Sequence, residues 1–323
     1  MTSMHHPVTS DQVMPSSRKR RLPLVPEADA TGRTLEIYQE IKSAIGIPHV
    51  NVIFQAYGAH PRFLAVMWNL LRPAVTTREF FAKADHLGAE AYTWMHNYFT
   101  VPDLCNQIKQ VDFSVGAQHE LTGVVELLHY NNPLLLLIAA ILLQAFEDGP
   151  VKTWRAEVGA DHPVFKDKPI KITEEAAPAP IRKIYDDIKR TLGASYVNTD
   201  YQVFARWQDF LSAYWNALKA ALTSPMFSES KHSLRESALF LASQLPNAPQ
   251  LGIEHAHEMN LSSEEMSAAI HITEEFLETL SGLVLNIAFA RIALEGGNQS
   301  RPTVRPEGAQ KQAPTIDQPG QAA

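Results

Sequence analysis

The chain repeats itself. Shifted by 147 positions, one stretch aligns with itself without a gap. Ile37-Tyr38 falls on Ile184-Tyr185, Ile41-Lys42 on Ile188-Lys189, Gly46 on Gly193 and Val50-Asn51 on Val197-Asn198. Gln55 falls on Gln202, Phe63-Leu64 on Phe210-Leu211, Trp68-Asn69 on Trp215-Asn216 and Leu71 on Leu218. That is 13 identities in the 35 positions from Ile37 to Leu71, where unrelated segments share about two at ordinary residue frequencies. Val25 and Glu27, on Ile172 and Glu174, carry the similarity further upstream. A duplicated chain folds as two like modules, which leaves a shared groove near their pseudo-axis.

The boundaries follow from the repeat. The first module covers 22–148 and the second 169–296, joined by a Pro- and charge-bearing connector at 149–168. The ends, 1–21 and 297–323, are rich in Ser, Pro, Gln and Gly and are expected to be disordered. Inside each module the apolar spacing is helical. Ile37, Tyr38, Ile41 and Ile45 step by three and four, and Gly46 sits where a glycine stops a helix. One further helix is expected over Phe54 to Leu71, mirrored by Tyr201 to Leu218. Thr223-Ser224-Pro225 reads as a helix start, and Ser262 with Glu265 as a capping box. Asn132 before Pro133 reads as an N-cap opening the apolar run Pro133 to Phe146. With no sustained period-two alternation, the expected fold is all-α: two pseudo-symmetric helical repeats packed around a shared groove.

Composition narrows the function classes. A net charge of −7 argues against nucleic acid and anionic membrane as partners. The basic cluster at 18–21 reads as part of a solvated leader. The longest apolar run is shorter than the roughly 18 residues of a spanning helix, so it is expected to be buried in protein rather than lipid. No apolar signal segment is read at the N-terminus. The lone cysteine, Cys105, makes no internal disulfide, zinc cage or redox pair and fits a reducing cytoplasm. Glu126/His129 and Glu254/His257 have the Glu-x-x-His spacing of di-iron bundles. They are 128 apart rather than 147, and chance spacing is the preferred reading. Trp68 and Trp215 recur at one repeat position, which marks them as core.

A catalytic residue is needed once, so it can show itself as a break in the repeat. Asp200 stands where the first module has Ile53. A carboxylate at a position that is inward-facing in its sister copy is costly unless it is capped, paired or in use. Two readings stay open. Asp200 is a helix cap or first-turn carboxylate, or it is a catalytic base.

The pieces Gly-Ile-Pro-His-Val-Asn (46–51), Asn-Asn-Pro-Leu-Leu-Leu-Leu (131–137) and Thr-Asp-Tyr-Gln-Val-Phe-Ala-Arg-Trp (199–207) resemble the group I 2-haloacid dehalogenases, over roughly 22–296. The resemblance implies an all-α homodimer that needs no metal or cofactor and removes halide from 2-haloalkanoic acids. It implies that Asp200 activates a water that attacks Cα directly and inverts the configuration. It places Thr199 as the hydroxyl that helps hold the substrate and gives Asn132 a second role in the pocket. Asn198, two before the aspartate, resembles the D-specific branch. Pocket positions that are aromatic in non-stereospecific members fall on His49, Val52, Leu135 and Phe276. The competing readings are a dehalogenase acting on both enantiomers, a helical binding module without turnover and a peroxidase or decarboxylase of duplicated helical type. The absence of a Cys-x-x-Cys pair argues against a thiol peroxidase.

Overall fold

The computed structural model describes residues 22–109, 113–147 and 155–298. These form twelve helices and no strand. In chain order they are α1 (Gly32–Ile45), α2 (Val52–Gly58), α3 (Pro61–Val75), α4 (Arg78–Tyr98), α5 (Leu104–Lys109), α6 (Val115–Ala145), α7 (Ala179–Leu192), α8 (Thr199–Phe204), α9 (Gln208–Leu222), α10 (Pro225–Ser243), α11 (Ile253–Glu258) and α12 (Ser263–Leu294).

Local chemistry sets most of the ends. Gly46 and Gly193 close α1 and α7 at φ 69° and 61°, left-handed angles that a side chain resists. Ser224 caps α10 with Pro225 at its first position, and Ser262 and Glu265 form a reciprocal capping box on α12. Two expected helices, Phe54 to Leu71 and its mirror Tyr201 to Leu218, are each split in two, the second between α8 and α9. The first breaks at Ala59-His60, and Pro61, which lacks an N–H, starts α3.

A second expectation fails more instructively. Asn132 is not an N-cap and Pro133 opens nothing; both lie inside α6, which starts at Val115 behind the Ser114 cap. A proline in a helix interior removes one hydrogen bond and crowds the carbonyl four residues back, here that of His129. At this point α6 packs beside Gly88 of α4. A side chain at Gly88 would meet the Pro133 ring at 3.4 Å and the His129 ring at 3.6 Å. The helix runs through, and Asn131 and Asn132 end up buried in its middle.

The same bonds recur 147 residues apart. Tyr38 donates to the Val25 carbonyl at 2.9 Å, and Tyr185 to that of Ile172 at 2.6 Å. Gln55 donates to Val50 and Gln202 to Val197, each at 2.7 Å. Trp68 donates to Glu40 and Trp215 to Asp187, each at 2.8 Å. Glu27 pairs with Lys42 and Glu174 with Lys189. Both indoles are buried, as expected of core positions.

Helices α6 and α12 make the most extensive contact, and α4 and α10 pack on both. By length and composition α6 and α12 could each cross a membrane, but 78% and 72% of their most apolar windows are buried within the protein, as in core helices. The short helices cross over: α2 packs on α12 and α8 on α6. Tyr57 of α2 shares a 2.6 Å hydrogen bond with Thr273 of α12. The starts of α2 and α8 are thereby brought to one cavity between the long helices.

The connector from 155 onward is extended and tied to the first half. Phe165 N–H reaches the Gly46 carbonyl and Ala160 N–H that of Thr76. The tail departs from expectation at its first residues. Asn298 is buried, accepts from Val101 N–H at 2.7 Å and donates to the Phe99 carbonyl at 2.8 Å. The remaining expectations for the termini and the basic cluster lie outside the described residues.

Candidate active site

The cavity has a volume of about 410 Å³. Its wall includes every residue singled out from the sequence: His49, Val52, Asn132, Leu135, Asn198, Thr199, Asp200 and Phe276. Positions as far apart as 49 and 276 meet because α2 and α8 cross over onto the long helices.

Asp200 is the second residue of α8 and is only 6% exposed. Its sister position, Ile53 in α2, is also buried and on the same wall, so the break in the repeat puts a carboxylate where the other half puts an aliphatic chain. Asn132 Nδ2 donates to Asp200 Oδ2 at 2.7 Å. Burial pushes the Asp200 carboxyl from 3.8 up to about 6, and hydrogen bonds from Asn132 and from its own backbone hold it from rising further. The opposition between burial and helix-start N–H groups is therefore won by burial. A carboxyl held at about 6 is poised for a general base near neutral pH.

The cap reading of Asp200 does not hold. Asn198 occupies the N-cap of α8, yet its side chain makes no capping hydrogen bond. The first-turn reading does hold: Asp200 is the acid of the first turn of α8 and its carboxyl accepts from its own backbone N–H, while half-buried Asn198 makes no cap bond. Both side chains line the cavity, with Thr199 between them.

Sequence reasoning missed part of the wall. Asn51 and Asn131 hold each other through both amides, at 3.1 and 3.0 Å. This reciprocal pair satisfies two buried side chains and ties α2 to α6 beside Asn132. Asn51 keeps its identity in Asn198, but only the first copy has an asparagine partner. Lys171, from the extended segment before α7, also lines the cavity. His49 is half-buried, and burial, then Lys171 and Lys168, push its imidazole down to about 4. Leu135 and Phe276 give the apolar surface between these polar groups.

Among the described residues, Glu126 and His129 of the first Glu-x-x-His spacing belong to no di-iron centre. Glu126 pairs with Arg291 at 3.6 Å, and no group of three or more His, Cys, Asp or Glu is placed to hold a metal among the described residues.

Several known proteins are similar to the chain. The family model described as Halocarboxylic acid dehydrogenase DehI matches residues 48–201. An (R)-2-haloacid dehalogenase of Pseudomonas putida is 28% identical over 271 residues, covering 81% of this chain and 89% of that protein. An (R)-2-haloacid dehalogenase of Rhizobium sp. (strain NHG3) is 25% identical over 229 residues, covering 70% of this chain and 89% of the relative. A solved D-2-haloacid dehalogenase in complex with L-LA superposes with a TM-score of 0.76 at 26% identity, covering 85% of this chain and 97% of that one.

Proposed function

We propose that the chain is a 2-haloacid dehalogenase like the D-specific enzymes it resembles, hydrolysing D-2-haloacids by direct attack of a water that Asp200 activates. The observation that carries the mechanism is a single buried carboxylate on the cavity wall, raised to about 6, in the place its sister half gives to Ile53.

The residues divide the work as follows. Asn132 holds one oxygen of Asp200, and the other takes a proton from water. The resulting hydroxide attacks Cα on the side opposite the halide. The C–O bond forms as the C–halogen bond breaks, and the halide leaves with the bonding pair. The proton stays on Asp200 until solvent removes it. The products are the hydroxy acid, a halide ion and a proton. Thr199 and Asn198 hold the substrate carboxylate, which fixes Cα in front of the water. Val52, Leu135 and Phe276 surround the alkyl group and halide with apolar surface, and His49 closes the wall. A binding module without turnover has no use for an aspartate left buried at a cost.

Two further properties belong to this reading. The enzyme works as a homodimer, as the family resemblance implies. It works in the cytoplasm, a setting that suits one half-exposed thiol, Cys105, and a net charge of −7.

The pH dependence tests the role of Asp200. The base must be ionised, and burial places its pKa at about 6. Halide release from D-2-chloropropionate should therefore give kcat/KM values that fall about tenfold per unit below pH 6 and level off above pH 7. His49, pushed down to about 4, stays neutral across this range. A profile flat from pH 5 to 8 would take Asp200 out of the base role.

A further inference from the structure

Two successive asparagines on α6 serve the two sister helix starts. Asn132 Nδ2 donates to Asp200 Oδ2 at 2.7 Å, at the start of α8. Asn131 and Asn51, the residue before α2, exchange two hydrogen bonds at 3.1 and 3.0 Å. All four residues are at most 7% exposed and line the same cavity. Asn51 makes no capping bond to α2, so its amide serves Asn131 and the neighbouring His49 ring instead. α2 packs chiefly on α12 and α3, and the amide pair ties its start to α6. The other long helix, α12, gives the wall Phe276, Thr279, Leu280 and Leu283 and no amide. The device is one-sided, as the base is.

The pair acts on a turn of α6 that lacks one backbone hydrogen bond. Pro133 has no N–H, so the His129 carbonyl has no helical partner. Asn131 and Asn132 lie between that carbonyl and the proline. With a bond of the ladder missing, the helix alone fixes the twist of this turn less firmly, and the direction of Asn132 depends on what its neighbours hold. Consecutive helical side chains point about 100° apart, so a twist of the turn swings both asparagines together. Asn131, locked onto Asn51, holds the turn and with it the aim of Asn132 at Asp200. Aim matters, because a displacement of about 1 Å in a catalytic site costs about 100-fold.

We infer that Asn51 and Asn131 are positioning residues for the base: their amide pair fixes the turn of α6 that carries Asn132, and Asn132 fixes the carboxyl of Asp200 with one oxygen left for water. This inference rests on the reading of Asp200 as the base and names the residues that aim it. The pair acts through Asn132 and not on the substrate.

The experiment is a double-mutant cycle on halide release from D-2-chloropropionate. Asn51→Ala and Asn131→Ala should each lower kcat about tenfold with KM little changed. In an Asn132→Ala background, Asn131→Ala should cost no more than about twofold, because residues that act through one another are not additive. The acid limb of the kcat/KM profile should move to higher pH in each single variant, since the Asn132 bond holds the Asp200 carboxyl down. The other titratable groups of the wall, His49, Lys171, Glu174, Glu175 and Tyr196, are the same in all of them. Removing one amide leaves its partner buried and unpaired, so the double variant Asn51→Leu/Asn131→Leu, which removes both, is the one expected to keep the fold. It should show the same loss in kcat and the same shift of the limb. The inference is overturned if Asn131→Ala costs as much in the Asn132→Ala background as in wild type, or if the loss falls on KM, which would put the amides on the substrate. It is also overturned if the variants lower the unfolding midpoint and leave the acid limb in place, or if the leucine pair does not fold, since either result makes the pair structural. A wild-type enzyme inactive on D-2-chloropropionate would instead overturn the dehalogenase reading, and full activity in Asp200→Asn would overturn the base reading.

Discussion

Asp200→Asn is expected to lower kcat about 10,000-fold, the upper end of what a positioned base contributes, while making the folded protein more stable. The amide is nearly isosteric and still accepts from Asn132 Nδ2, so the packing survives, but it takes no proton from water. The stability change follows from linkage. Burial raises the carboxyl from 3.8 to about 6, which means that the folded state prefers the protonated form. The associated stability is fully present below pH 3.8 and is lost as pH rises through about 6. A rise from 3.8 to about 6 corresponds to about 3 kcal/mol. The asparagine variant avoids that loss, so its advantage over wild type should be absent at pH 4 and about 3 kcal/mol at pH 8. Thermal unfolding of both proteins at the two pH values checks it. Equal midpoints at pH 8 would mean that the buried carboxylate costs nothing, and a variant that fails to fold would return Asp200 to a structural role.

The second large effect is handedness. Once the substrate's carboxylate and halide are fixed, only two places remain for its alkyl group and hydrogen. The enantiomer that fits badly must move either its alkyl group or its attacking water. Asn198 stands two residues before the base, is half-buried on the cavity wall and spends nothing on capping α8. We propose that its amide, besides its contact with the substrate carboxylate, narrows the space that the L-substrate's alkyl group or a second water needs. D-2-chloropropionate should be converted to the L-hydroxy acid, with the L-enantiomer a poor substrate or an inhibitor. Asn198→Ala should raise activity on the L-enantiomer, within the roughly 10- to 200-fold that a steric difference of about 1–3 kcal/mol allows. Halide release from the separated enantiomers and chiral analysis of the product decide the matter. Equal wild-type rates on the two enantiomers would remove Asn198 from stereocontrol.

What could be read from the sequence was either local or repeated. Gly46, Ser224 and the Ser262–Glu265 box act within one turn of their own helix, so their chemistry is visible in a few letters. Asp200 was legible because the duplication supplied its own comparison, Ile53. What escaped depends on partners far along the chain. Asn-Pro ordinarily marks a helix start, yet α6 continues through Pro133, where it packs beside Gly88 of α4. The Asn51–Asn131 pair joins residues 80 apart. Lys171 lies in an extended stretch beside other charges, where a lysine reads as a solvated side chain until the fold turns it toward a cavity. The repeat pointed to the base, but not to the asparagines that hold and flank it.

The most direct test of the central claim is a single turnover in heavy-oxygen water, with enzyme in excess over D-2-haloacid. Direct attack by the water that Asp200 activates places the label in the hydroxy acid on the first turnover and leaves every protein carboxylate unlabelled. Unlabelled hydroxy acid from that turnover, with heavy oxygen entering the Asp200 carboxylate as an ester is hydrolysed, would make Asp200 a nucleophile and contradict the account.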